Sequence, residues 1–167
     1  MQNLFSLLLM ISIFLQSGCA TGPSYQPKAV SLQDGAEIRP SMCDRRISRV
    51  FKLCDVPDVT IIKIDGIRAW PWSSSHLHPL QIVDPGERTI TVSGSIATDI
   101  AAVSTYEAEA ELRVTFKAGH AYLIHGEWLR PVMSFWIEDK TTGEIVSEKQ
   151  SVSAKHQMHW MNLIPRK

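Results

Sequence analysis

The segment "YEAEAELRVTFK", residues 106–117, constrains the fold of this chain more than any other. Its apolar residues occupy every second position, and charged or polar residues fill the positions between them. A helix would scatter these apolar side chains around its circumference, whereas a strand places them all on one face. Although Glu and Ala favour helices by propensity, the alternation predicts a long strand with one face toward a core and the other toward solvent.

Five further stretches predict strands because they are short, apolar and bounded by turn residues, as Val59 to Ile64 is by Asp65-Gly66. These predicted strands cover residues 59–64, 88–93, 120–128, 133–138 and 144–148. No convincing amphipathic helix interrupts them. The pattern therefore predicts an all-β fold, an antiparallel β-sandwich or open barrel of about six to seven strands.

The N-terminal region predicts export. The apolar run from Leu4 to Leu15 is interrupted only by Ser6 and Ser12. It is shorter than the roughly 20 residues that span a bilayer, and is typical of the apolar part of a secretory signal. We expect a signal peptide at residues 1–18, a Gly- and Pro-rich tether at 19–40, the β-domain at 41–149 and a tail at 150–167.

The end of the signal, Leu15-Gln16-Ser17-Gly18-Cys19, resembles the lipobox of bacterial lipoproteins. The resemblance implies cleavage just before Cys19 and attachment of lipid to that cysteine. In this family an Ala after the cysteine, here Ala20, implies the outer membrane. A signal cut elsewhere would instead release a soluble periplasmic protein.

A second resemblance covers residues 59–149. The series "IIKIDG", "DPGERTITV", "AELRVTFKAGHAYLI" and "FWIEDKTTGEIV" is similar to small bacterial envelope lipoproteins with an all-β domain, much like PEGA-type modules. It implies the same fold and carries over no catalytic residue.

With Cys19 assigned to lipid, Cys43 and Cys54 remain as a pair. Exported proteins fold in an oxidising compartment, so we expect a structural disulfide between them. Zinc is the alternative, but the chain has no second Cys pair of the kind that completes a structural zinc site.

Charge and motifs argue against several functions. Seventeen basic and seventeen acidic residues give no net charge, so the chain has no overall field that would attract nucleic acid or anionic lipid. The sequence lacks G-x-S-x-G, H-E-x-x-H and Gly-rich phosphate-loop motifs. We therefore expect a lipid-anchored envelope protein with a binding or structural role, no catalysis, no cofactor, and an envelope protein or glycan as partner.

Two constellations are candidate binding sites. Trp70 and Trp72 flank Pro71, and exposed indoles there would stack on a sugar or serve as a protein contact; the alternative is that they cap the core. In the tail, His156 and His159 with Met158 and Met161 are ligand types that hold copper, and the spacing of the two histidines would suit one helical face. The alternative function is therefore a periplasmic copper-type metal-binding protein, unless these residues merely pack the tail against the domain.

Replacing the lipidated residue, Cys19→Ser, is expected to release the protein from membranes. Each buried CH2 of an acyl chain contributes about 0.8 kcal/mol, and stable anchoring needs more than one chain. Fractionation of the variant and intact-mass measurement of the wild type check this. An unmodified Cys19, or a serine variant that stays in the membrane, would contradict the lipoprotein assignment.

Overall fold

The computed structural model describes residues 24–29, 31–41, 56–69, 80–97 and 104–158. Within these ranges the chain forms eleven strands. They are β1 (Ala36–Pro40), β2 (Asp58–Ile64), β3 (Ile67–Arg68), β4 (Gln81–Val83), β5 (Gly86–Ala97), β6 (Ser104–Phe116), β7 (Ala121–Leu129), β8 (Val132–Asp139), β9 (Glu144–Ile145), β10 (Gln150–Ser153) and β11 (Lys155–Met158). The described part of the chain contains no helix with the length and hydropathy needed to cross a membrane.

The strands form two sheets that enclose one core. The larger sheet has the order β10-β8-β7-β1-β4, with β9 beside β8, and the smaller has the order β11-β6-β5-β2-β3. The all-β prediction is confirmed. The pairing is antiparallel except between β1 and β7, which run parallel.

The β5–β6 hairpin is the longest ladder, and its register runs from Gly86 opposite Phe116 to Ala97 opposite Thr105. Along β6 the burial alternates as predicted. Phe116 is buried against the ring of Tyr122, with the ring centroids 4.7 Å apart in an edge-on arrangement. Arg113 and Thr115, on the other face of the strand, are exposed. The alternation therefore defines the core face of the smaller sheet.

Apolar side chains from both sheets meet in this core. Ile90 and Val92 of β5 are fully buried, as are Phe135 and Ile137 of β8. A Cβ atom at Gly94 would lie 2.6 Å from the ring of Phe135, so this strand position needs glycine for the two sheets to approach.

Strands also occur outside the predicted β-domain, 41–149. The predicted tether, 19–40, contains β1, whose Ala36 and Ile38 are fully buried, and the predicted tail, 150–167, contains β10 and β11. Both boundaries are corrected for the same reason. These strands are short, and they are stabilised by pairing with residues far away in the chain, which local composition does not reveal.

Phe116→Ala is expected to lower the free energy of unfolding by about 3 to 5 kcal/mol, because it removes buried apolar surface and leaves a cavity. Arg113→Ala, on the solvent face of the same strand, is the matched control and should change it by no more than about 0.5 kcal/mol. Urea unfolding of both variants checks the ranking. A reversed ranking would contradict the observed orientation of β6.

Candidate functional site

The first candidate site is the point where the N-terminal segment enters the fold. Asp84 lies between β4 of the larger sheet and β5 of the smaller one. Its Oδ1 accepts hydrogen bonds from the backbone N–H groups of Lys28, at 2.7 Å, and Ala29, at 2.9 Å. One carboxylate therefore holds the N-terminal segment at the junction of the two sheets.

Tyr25 completes this attachment. Its ring is buried, and its backbone N–H donates to the carbonyl of Arg68 in β3 at 2.7 Å. The hydroxyl donates to Asp84 Oδ2 and accepts from the Asp84 backbone N–H, each at 3.1 Å. Residues 25–29 thus connect β3, at the edge of the smaller sheet, with the end of β4, at the edge of the larger sheet. We call this arrangement the Asp84 clamp.

The electrostatics of the clamp favour an ionised Asp84. Burial acts to raise the pKa of Asp84, but hydrogen bonds from the Ala29 and Lys28 N–H groups and from Tyr25 hold that pKa below its ordinary value. Burial also raises the pKa of the Tyr25 phenol, which stays protonated and able to donate. Because the carboxyl pKa is lowered on folding, its stabilising contribution is present above about pH 4 and is lost as the pH falls through the folded-state pKa.

Arg88 links the clamp to the β2–β3 turn. It donates to Asp65 Oδ2 at 2.9 Å and to the carbonyl of Asp84 at 3.2 Å. An open recess of about 420 Å³ lies beside these groups, lined by Lys28, Ala29, Asp34, Asp84, Pro85 and Arg88. Asp84 and Arg88 are already engaged within the protein, so the clamp is a structural attachment rather than a catalytic centre.

The second candidate site is on the outer face of the larger sheet. His125 of β7 lies directly opposite Trp136 of β8, and their rings stack with centroids 5.1 Å apart and an angle of 8° between planes. His125 Nε2 is 2.7 Å from Glu138 Oε2. The alternation of side chains along β8 explains why Trp136 faces outward, because its neighbours Phe135 and Ile137 are buried in the core.

Two lysines extend this face. Lys149 Nζ lies 4.6 Å from the centroid of Trp136 and donates to Glu127 Oε2 at 2.6 Å. Lys140 Nζ donates to Glu138 Oε1 at 2.8 Å. Hydrogen bonds from Lys140 and then His125 lower the pKa of Glu138, so this carboxylate is ionised at neutral pH. We call these residues, His125, Glu127, Trp136, Glu138, Lys140 and Lys149, the indole face.

The indole face is chemically suited to binding. Its centre is a partly exposed tryptophan, and tryptophan is enriched among the residues that dominate protein interfaces. Around it, charges of both signs are held in place by contacts with one another, which limits the entropy lost when a partner binds. The face has no buried carboxylate pair and no activated nucleophile among its members, so its geometry favours recognition over catalysis.

His120 and Asp139 form a histidine–carboxylate pair, an arrangement that orients the general base in catalytic triads. His120 Nδ1 is 2.7 Å from Oδ2 of the buried Asp139, whose Oδ1 accepts from the backbone N–H of Thr141 at 2.9 Å. Burial acts to raise the pKa of Asp139, but the hydrogen bonds from His120 and Thr141 lower it on balance. Within the described hydrogen bonds, His120 contacts no hydroxyl that could act as a nucleophile. The pair stabilises the β8–β9 turn.

The predicted metal ligand His156 lies in β11, at the edge of the smaller sheet. Its Nε2 is 2.5 Å from Ser104 Oγ, and its ring lies 4.9 Å from that of Tyr106, which also contacts Trp128 at 4.9 Å. Residues 155–158 form a strand, so the prediction that His156 lies on a helical face is wrong. Across the described ranges, no group of three or more His, Cys, Asp or Glu side chains could hold a metal ion.

The remaining predicted site residues lie outside the described residues. These are Cys19, Cys43, Cys54, Trp70, Trp72 and His159. The sequence analysis missed Asp84 and Trp136. The position of Trp136 could have been predicted, since side chains alternate along "FWIED" and place its indole on the solvent-facing side of a predicted strand. Asp84 had none, because its partners are 55 to 59 residues away in sequence.

Comparison with known proteins gives no assignment for this chain. No protein family, no curated protein and no solved structure matches it.

Proposed function

We propose that this chain is a lipid-anchored protein of the bacterial cell envelope that binds a protein partner through the indole face and catalyses no reaction. A lipid on Cys19 would hold it at the outer membrane, as the lipobox-like segment and Ala20 imply. The observation that carries the binding role is the half-buried Trp136, which contacts His125 and Lys149 on the outer face of the larger sheet.

Composition distinguishes the two outer sheet faces. The solvent face of β5 and β6 presents hydroxyl and charged side chains, such as Ser93 opposite Glu109 and Thr89 opposite Arg113. Such a face is typical of a solvated surface. The indole face adds a large apolar ring, and the burial of such a ring supplies most of the energy at a protein contact.

A protein partner is favoured over a glycan by the contacts that the indole already makes. Sugar rings stack on the flat face of an aromatic side chain, but His125 is already stacked on Trp136 and Lys149 lies over the same ring system. On the side of the indole that His125 covers, a glycan would have to displace the imidazole. The charged residues around the ring can instead pair with complementary charges on another protein, which gives specificity and faster association.

Trp136→Ala is expected to weaken partner capture about tenfold or more, the effect typical of a tryptophan at the centre of an interface. In-cell crosslinking followed by quantitative mass spectrometry would measure capture by the full-length protein. Arg113→Ala is the matched control, because it changes the outer face of the other sheet. Lys149→Glu is a second variant, which reverses a charge on the indole face without removing core packing.

Three outcomes would separate the alternatives. A partner protein lost in both indole-face variants and retained in the Arg113 control would support the proposal. Equal capture by all variants would exclude the indole face as the contact. Co-sedimentation of the wild type with purified peptidoglycan, abolished by Trp136→Ala, would replace the protein partner with a glycan.

A further inference from the structure

The Asp84 clamp shortens the connection between the lipid and the folded domain. The sequence predicts a tether up to residue 40, but the chain is already part of the fold at Ser24, which forms a parallel bridge with Arg68 of β3. From there Tyr25, Lys28 and Ala29 are fixed by the hydrogen bonds described above. The entry point of the chain is therefore set at the outer edge of β3.

Chain geometry alone limits the distance between Ser24 and the lipidated Cys19. Five residue steps separate Cys19 from Ser24. A fully extended chain covers at most about 3.6 Å per residue, so Ser24 lies within about 18 Å of the lipidated residue in any conformation. A tether that ended at residue 40 would have allowed about four times this reach.

We propose that the domain lies against the surface of the bilayer that holds its lipid, with the edge formed by β3 and residues 24–28 facing the headgroups. This inference rests on the proposed function, because it requires a lipid on Cys19. It goes further in assigning one edge of the sandwich to the membrane and directing the opposite edge, with β10 and β11, away from it.

The side chains at this edge suit a phospholipid surface. Lys28, Lys63 and Arg68 are exposed, and Lys63 lies directly opposite Arg68 in the β2–β3 pair. Ile67 is 43% exposed and adds an apolar group beside these cations. Basic residues are attracted to an anionic membrane surface, and an apolar side chain inserts at the headgroup boundary.

Three acidic side chains near this edge accept hydrogen bonds from other groups of the chain. Asp65 accepts from Arg88, and Asp84 accepts from Tyr25 and from two backbone N–H groups. Asp34, which lines the recess beside Lys28, accepts from the hydroxyl of Ser31 at 2.9 Å. The exposed lysines at this edge therefore face the bilayer without an intervening row of free carboxylates from these three residues.

Lysine acylation of the lipidated full-length protein tests the inference. The protein is reconstituted in vesicles of phosphatidylethanolamine and phosphatidylglycerol and treated with a membrane-impermeant amine reagent. Lys155 in β11 is the matched control, since it is exposed and lies at the opposite edge of the same sheet. Labelling at Lys28 and Lys63, relative to Lys155, is expected to be several-fold lower than in a variant with about twenty Gly and Ser residues inserted after Thr21.

The outcomes are distinct. Lower relative labelling in the native protein, restored by the insertion, would support a domain held at the membrane by its short connection. Equal relative labelling in the two proteins, with lipid on Cys19 verified by intact mass, would overturn the inference and leave the proposed function intact. An unmodified Cys19 would overturn the proposed function, and this inference with it.

Discussion

The hydrogen bonds to Asp84 determine how the N-terminal part of this chain joins the rest. The residue lies where the chain passes from the larger sheet to the smaller one, and its carboxylate binds Tyr25, Lys28 and Ala29. Such charge-assisted bonds are stronger than neutral ones, and partial burial limits competition from water. They act together with the burial of the Tyr25 ring in the core and with the pairing of Ser24 and Tyr25 with Arg68 of β3.

The same alternation of side chains gives the two sheets different outer surfaces. In each strand, one set of side chains enters the shared core, and the other set is left for solvent or a partner. On the smaller sheet that outer set is hydroxylated and charged, whereas on the larger sheet it contains Trp136 stacked on His125. The proposed division follows: one edge faces the membrane, and the outer face of the larger sheet remains available to a protein partner.

The local sequence pattern was sufficient to predict the long strands but not the short ones. The alternation around Phe116 predicted β6 closely, and Asp65-Gly66 marked the β2–β3 turn, where both residues have positive φ. In contrast, β1 pairs with β7, which lies more than eighty residues later in the chain. The Asp84 clamp was likewise invisible, because hydrogen bonds between distant segments leave no periodic signal in a single sequence.

Residue-specific amide hydrogen exchange at Lys28 and Ala29 tests the central claim, which is that Asp84 fastens the N-terminal segment to the sandwich. We expect exchange at both amides to be at least about tenfold slower than in an unstructured chain, because both N–H groups donate to Asp84 Oδ1. Asp84→Ala should remove this protection, whereas Asp34→Ala, in the same recess, should leave it unchanged. Unprotected amides at Lys28 and Ala29 in the wild-type protein would contradict the account.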